Sequence, residues 1–385
     1  MATMKKMATG NMKFIWALLL SVTVVTAVVP GAAAGQFRKP VYYKTNDNVW
    51  GIVSADFNQD GIRDLAFAEF FSGQVGIMLG KGNGAFEPPS YFTVPGALQL
   101  AVGDFNGDHK LDLAVVEYGG TGHSALGIFL GDGQGNFKNS ATYELGIESN
   151  SLAVADFNGD GHLDVAVTNR FGYGRNGKDG SVLVFFGKGD GTLRKPDLYE
   201  LGGQPYGIAI GDLNGDHHPD LAITQDTGRS VAIFMNSGHG KFTPTVTYKV
   251  HEGADYVAIA DLDHNGTLDL AVSDDGGVDV LLGNGDGTFG NATLHSTWPL
   301  GQVPVEIAIA DFNGDGNPDL AVVLSNGYPG VFYGNGDGTF WPVMQIKSIL
   351  YSGYALTAGD FNEDGKPDLA VGALSRGIGV LIDAE

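Results

Sequence analysis

From residue 35 onward the chain alternates short apolar runs with turns rich in glycine, aspartate and asparagine. An apolar run, such as residues 307–310, leads into a polar loop, and a second run follows at once, as at residues 320–323 or 113–116. A variable polar segment comes next, then a third run, such as residues 182–186 or 278–282. It ends in a glycine-rich turn closed by an aromatic, GNGDGTF at residues 283–289 and again at 334–340. A fourth extended stretch with Pro and Tyr or Trp completes the unit. Runs this short, bounded by Asp-Gly and Asn-Gly signals, predict strands, labelled A to D in order. No helical period follows the N-terminal leader. The polar loops begin at Asp56, Asp104, Asp156, Asp212, Asp261, Asp311 and Asp360, at intervals of 48 to 56 residues. Four short strands in a repeat of about 50 residues predict an all-β fold, a seven-bladed β-propeller of four-stranded blades.

The seventh unit stops after strand C, at residues 378–382, with only Asp383, Ala384 and Glu385 beyond it. The missing piece stands at the other end of the chain. GQFRKPVYY at residues 35–43 aligns with GAFEPPSYF at residues 84–92. The N-terminal strand is therefore expected to join the last blade as its outer strand and close the ring, which removes an open sheet edge. GKGNG at residues 80–84 looks like part of a phosphate loop, but it recurs in later units as GDGQG, GKGDG, NSGHG and GNGDG with no helix pattern after it. A hairpin turn accounts for it better.

The loop between strands A and B carries the chemistry. In the sixth unit it reads DFNGDGNPDL, with Asp311, Asn313, Asp315 and Asp319 at positions 1, 3, 5 and 9 and Gly316 at position 6. Oxygen ligands at alternate positions, followed by a turn glycine, suit a hard cation such as Ca²⁺. The first three loops offer Asp56, Asn58, Asp60, Asp64; Asp104, Asn106, Asp108, Asp112; and Asp156, Asn158, Asp160, Asp164. The fourth offers Asp212, Asn214, Asp216, Asp220, and the seventh Asp360, Asn362, Asp364, Asp368. The fifth swaps the order to Asp261, Asp263, Asn265, Asp269. A position-7 carbonyl and waters would complete the shell. An ion-free Asx turn would account for one such loop. Seven with the same oxygen set argue for a cation, because clustered carboxylates repel one another. The loops depart from an EF-hand, since position 12 is an apolar strand residue such as Phe67, Val115 or Val322. The position-2 Phe or Leu is expected to pack between blades. His109 and His217 replace the position-6 glycine, which puts occupancy of the second and fourth loops in question. The loop histidines lack zinc-ligand spacing and read as solvent-facing.

Charge narrows the partners. With 44 acidic and 22 basic side chains the net charge is −22, which excludes the basic surface that nucleic acid requires. There is no cysteine, so disulfides and thiolate sites are excluded. Lys5, Lys6 and Lys13 precede an apolar run over residues 14–29, broken by Pro30 and Gly31 and followed by Ala32, Ala33 and Ala34. That layout predicts a secretory signal peptide over residues 1–34, with Met12 as an alternative start and the propeller over residues 35–385. The expected location is secreted, cell-surface or periplasmic, with no membrane insertion once the signal is cleaved.

The unit DFNGDGxxDLAV…GxGDGTF resembles the FG-GAP/VCBS repeat family, seen also in integrin alpha-subunit propellers and in seven-bladed calcium-containing lectins. The resemblance covers residues 35–385. It implies a seven-bladed propeller with calcium at the A–B hairpins, and it implies the metal role for the position 1, 3, 5 and 9 residues named above. It fixes no ligand, because the repeat is a scaffold for many functions.

Recognition is expected on the face of the variable B–C and D–A loops. Six residues before each metal loop, at the channel mouth, stand Trp50, Leu98, Asn150, Tyr206, Asp255, Val305 and Tyr354, with Tyr256 adjacent. Trp50, Tyr206, Tyr256 and Tyr354 are the candidate ligand-binding residues, able to stack on sugar rings or anchor a protein. Interblade packing is the competing reading of the same rings. The long B–C loop of the third unit, residues 168–181, adds Phe171, Tyr173, Arg175 and Lys178. The chain has no nucleophile elbow, no HExxH helix and no carboxylate pair outside the metal set. It reads as a secreted calcium-binding module for an extracellular protein or glycan, with calcium structural. A secreted propeller enzyme acting on carbohydrate is the alternative.

Overall fold

The computed structural model describes residues 36–119, 123–171, 180–298, 300–346, 353–373 and 377–384. The expected signal peptide lies outside them, as do Tyr173, Arg175 and Lys178 of the long third-unit loop. The described residues form seven four-stranded antiparallel sheets and no helix. In blade 1, strand A is Val49–Ala55, B is Asp64–Glu69, C is Gln74–Met78 and D is Ser90–Thr93. Blades 2 to 6 repeat this order. In blade 7, Gly353–Gly359, Asp368–Ala373 and Gly377–Leu381 supply A to C. Its outer strand is Val41–Tyr43, paired antiparallel with C, so the N-terminal strand closes the ring as expected. A short ladder of Gln36–Phe37 with Asp383–Ala384 extends the closure. Among the described residues no helix is long and apolar enough to cross a membrane.

Strand B is an unbroken apolar run because blades cover both of its faces. Leu320, Ala321, Val322, Val323 and Leu324 are all fully buried. Strand D alternates, as in Asp197–Glu200, because one face meets solvent. The cores lie between blades. One cluster joins Val49, Leu65 and Phe86 of blade 1 to Phe361, Ala370 and Ile382 of blade 7, and another joins blade 1 to Leu100, Leu113 and Phe129 of blade 2. The position-2 residues Phe57, Phe105, Phe157, Leu213, Leu262, Phe312 and Phe361 are buried in these interfaces.

The glycine-rich turn does more than reverse the chain. Gly240 N–H donates to the carbonyl of Phe157 in the preceding blade at 2.9 Å, and Gly287 N–H to that of Leu213 at 2.9 Å. A Cβ on Gly240 would stand 2.3 Å from the Phe186 ring, and one on Gly287 2.1 Å from Met235. Both have φ values, 67° and 80°, that favour glycine. Strand D adds a second clasp. The hydroxyls of Tyr43, Tyr199 and Tyr248 accept the N–H of Phe86, Phe242 and Phe289 in the following blade, at 2.9, 3.3 and 2.9 Å.

Candidate functional site

Strands A and B project seven equivalent hairpins onto one face. The loop folds around its own side chains. In the first, Asp60 N–H and Gly61 N–H donate to the two oxygens of Asp56 at 3.1 and 2.9 Å, Asp60 N–H also reaches Asn58 Oδ1 at 3.0 Å, and Ile62 N–H reaches Asp60 Oδ1 at 2.8 Å. These bonds curl the backbone and gather the side-chain oxygens. Positive φ is needed at position 6, from 84° to 88° where glycine stands there. It is needed at position 4 as well, where Gln59, His264 and Glu363 adopt 62°, 59° and 59°. His109 and His217 take φ of 64° and 66° and keep the position-6 bond, each N–H donating at 2.8 Å to Oδ2 of Asp104 or Asp212. Both side chains are solvent-facing, at 96% exposure.

Position 9 opens strand B and is fully buried in all seven loops. Asp319 Oδ2 accepts Phe312 N–H at 2.8 Å, and Oδ1 accepts Gly334 N–H at 2.8 Å. It therefore ties the aspartate-led loop to the start of its own C–D turn. Burial pushes this carboxyl up to about 7 in Asp319 and to about 6 in Asp64, Asp112, Asp164, Asp220 and Asp368, against the lowering effect of the backbone donors. The residues fit a hard divalent cation. In the fifth loop, oxygens of Asp261, Asp263 and Asp269 lie within 4.8 Å of one another, and the whole donor set is oxygen. A second group, His251, Asp274 and Asp279, also draws its atoms within 4.8 Å. There a histidine nitrogen joins the two carboxylates, so the donor set is mixed and not the all-oxygen set of the loops, and among the described residues the group occurs once and is not repeated around the ring.

The opposite end of strand A holds the mouth residues. Trp50 lies against Tyr354, ring centroids 5.0 Å apart, and Tyr206 meets Tyr256 edge-on at 5.5 Å. The candidate rings thus form two pairs. One step deeper, Gln99 Nε2 of blade 2 donates to the Tyr256 hydroxyl of blade 5 at 3.2 Å, a bar across the channel. Glu306 stands at the equivalent position of blade 6 and accepts Leu356 N–H at 2.7 Å. Glu306 and Tyr256 are both half-buried, set inside the ring of blades. Burial pushes the Glu306 carboxyl up to about 8 and the Tyr256 hydroxyl well above its ordinary value. Asp255 is pushed up to about 6, first by burial and then by nearby aspartates. At the edge of the mouth, Arg170 bridges to Asp226 at 2.7 Å and to Gln204 Oε1 at 3.1 Å, binding blade 3 to blade 4.

A groove of about 330 Å³ opens on this face over blades 1 to 3. Trp50, Leu98 and Asn150, three consecutive mouth positions, line it together with Phe70, Phe71, Tyr118 and Glu148. Phe70 is the hub of the wall, 5.7 Å from Trp50, 5.0 Å from Phe71 and 5.7 Å from Tyr118. Phe71 is 68% exposed. Trp50 Nε1 and Asn150 Nδ2 are shut off from water without a hydrogen-bond partner. Sequence reasoning missed Phe70, Phe71, Tyr118 and Glu148. The available signal was two adjacent phenylalanines in a polar B–C loop, EFFSG at residues 69–73, where no core position is due.

The FG-GAP-like repeat family matches residues 56–115, 104–167, 173–223, 212–272, 261–322 and 311–371, and the FG-GAP repeat matches residues 150–185. No curated protein matches the chain. Among solved structures, BBS1N in complex with ARL6DN is similar in a lead-soaked crystal, with TM-score 0.60 and 14% identity over 90% of this chain and 98% of that one. In a mercury-soaked crystal the TM-score is 0.63, at 14% identity over 91% and 97%. At this identity the likeness is one of fold.

Proposed function

The chain belongs to the FG-GAP-like repeat family, and from that premise we propose that it is a secreted binding module. Seven Ca²⁺ loops hold its ring, and an extracellular protein or glycan docks on the opposite face. The observation that carries this reading is the division of labour between the two faces. One repeats a single oxygen-rich loop seven times. The other carries a groove with an exposed aromatic and buried donors that lack acceptors. The residues that would hold each ion are those at positions 1, 3, 5 and 9. A bound ion would offset the mutual repulsion of their carboxylates and stabilise the native state alone. BBS1N was solved with a protein partner, which supports a binding role for a propeller of this kind.

The test exposes the calcium-loaded protein to a glycan array and to immobilised extracellular protein extract, with and without EDTA. Retention of a ligand that is lost on chelation, as the scaffold loosens, is the expected result. Turnover of a carbohydrate panel with no stable binding would favour an enzyme instead.

A further inference from the structure

We propose that blade 5 carries a second kind of metal site, in which His251, Asp274 and Asp279 hold one divalent transition ion of the zinc class. The site is separate from the seven loops and from the groove. The sequence shows no carboxylate pair outside the loops, but the short B–C turn of blade 5 makes one. Strand B of that blade, Asp269–Asp274, ends on Asp274, and strand C, Gly277–Leu281, carries Asp279. Asp279 pairs with Val272, two residues before Asp274, so both side chains leave the same face of the sheet. At the position of Asp279 the other six blades place glycine, Leu183 or Ala232. The acid is thus no part of the repeat. Both carboxyls are fully buried and within hydrogen-bond reach of one another. His251, in the loop arriving from blade 4, sets its Nδ1 2.5 Å from Asp279 Oδ1.

Charge and donor type choose the occupant. Two carboxylates side by side out of water are costly without a cation. Among the described residues their only ion-pair contact is with His251. A divalent ion matches their two negative charges with the imidazole neutral, and it takes the place of any proton shared between them. The imidazole nitrogen favours a borderline ion such as Zn²⁺ over Ca²⁺, which prefers oxygen alone. Backbone donors hold the ligands in place. Gly276 N–H and Gly277 N–H reach Asp274 Oδ1 at 2.8 and 2.7 Å, Glu252 N–H reaches its Oδ2 at 3.2 Å, and His251 N–H reaches Asp279 Oδ2 at 2.8 Å. Each oxygen keeps a second lone pair for the ion. One ligand atom from each residue lies within 4.8 Å of the others. Ligands about 2.0–2.1 Å from a tetrahedral ion stand roughly 3.3 Å apart, so His251 has only to swing outward by about 1 Å or less. Its side chain is 47% exposed, which leaves room for that movement. The same exposure gives the ion its way in and leaves the fourth position to water. Glu252 and Asp275, both exposed, flank the ligands in the chain and draw cations towards them.

The full chain, with calcium in excess so that the loops are filled, is titrated with Zn²⁺ by calorimetry and with Co²⁺ read by visible absorption. A single zinc ion per chain is expected to bind, and cobalt should show the intense visible bands of a four-coordinate ion. His251→Ala should weaken zinc binding by at least about tenfold, and Asp279→Asn, close in shape, should do the same. His239→Ala, which removes an exposed histidine from a C–D turn, should change nothing. His251 is exposed enough for its loss to leave the fold intact, and the melting curve of each calcium-loaded variant checks this. Absence of zinc binding overturns the proposal and leaves a proton-bridged His–Asp–Asp cluster in its place. Zinc binding that survives both His251→Ala and Asp279→Asn belongs to surface groups elsewhere and overturns it too.

Discussion

At one end of each strand A stands an aspartate-led loop, and at the other a residue that changes from blade to blade: Trp50, Leu98, Asn150, Tyr206, Asp255, Val305 and Tyr354. The two ends share a backbone and a position in the ring, yet different forces shape them. Each aspartate-led loop solves the same local problem, gathering oxygens with bonds that span two to seven residues, such as Asp315 N–H to Asn313 Oδ1 and Phe312 N–H to Asp319 Oδ2. The mouth is assembled from residues far apart in the chain, such as Gln99 with Tyr256 and Trp50 with Tyr354. Repetition therefore marks the end that holds the ring, and irregularity the end free to specialise.

Chelation is the strongest way to break this comparison. If calcium sustains the repetitive face, a site held at 100 times its Kd contributes about 2.7 kcal/mol, and the loops act together. EDTA should lower the Tm by on the order of 10 °C or more, read by calorimetry with calcium add-back. A melting curve that ignores EDTA and added calcium would remove the ion from the account. One loop should matter less. Asp319→Ala strips acceptors from the buried Phe312 and Gly334 N–H groups, so a loss of about 2–4 kcal/mol in chemical unfolding is expected. Phe71→Ser on the other face should stay within about 0.5 kcal/mol. Equal losses at the two sites would erase the distinction.

The ring, its closure and the loops were legible because each rests on a local pattern repeated along the chain. Residues 35–43 could be placed only because they copy residues 84–92. Position 4 was not legible as a positive-φ site, since Gln59 and Glu363 look like ordinary loop residues beside the glycines of other loops. Nor was the role of the turn glycine, because it depends on Phe186 and Met235 of the neighbouring blade. Register alone marks the mouth row in the sequence, and it gives no reason to separate one aromatic there from another. In the structure they pair as Trp50 with Tyr354 and Tyr206 with Tyr256, and the groove takes Trp50 with Phe70, Phe71 and Tyr118. Those contacts are set by tertiary approach, which no local spacing encodes.

Glu306 sharpens the mouth side of the comparison. Its folded carboxyl, pushed up to about 8 by burial, holds a proton more tightly than the unfolded chain does. The resulting stability is present in full below the ordinary glutamate value and is lost as pH rises through about 8. The Tm should therefore fall as pH rises from about 4.5 to about 8 and level off above it, and Glu306→Gln, whose carbonyl can still accept Leu356 N–H, should flatten that fall. A variant with the same pH profile as the parent would show that Glu306 is solvated or paired in solution.

The smallest effect tests whether the seven loops are as alike as their geometry. His109 pays for its 64° φ with a strain that Gly316, at 88° in the sixth loop, does not bear. Its imidazole is nearly free of contact, 3.9 Å from Asp104 at closest approach and 96% exposed, so replacing it removes little else. Glycine also gives the unfolded chain more freedom, which offsets part of the gain. His109→Gly should stabilise the calcium-loaded protein by about 0.5 kcal/mol, a shift of roughly 1–2 °C in Tm. It should also raise the calcium affinity of the second loop if the strain is incurred only when the loop closes on the ion. Destabilisation would mean that the second loop depends on its histidine, and that the repetitive face is less uniform than its backbone.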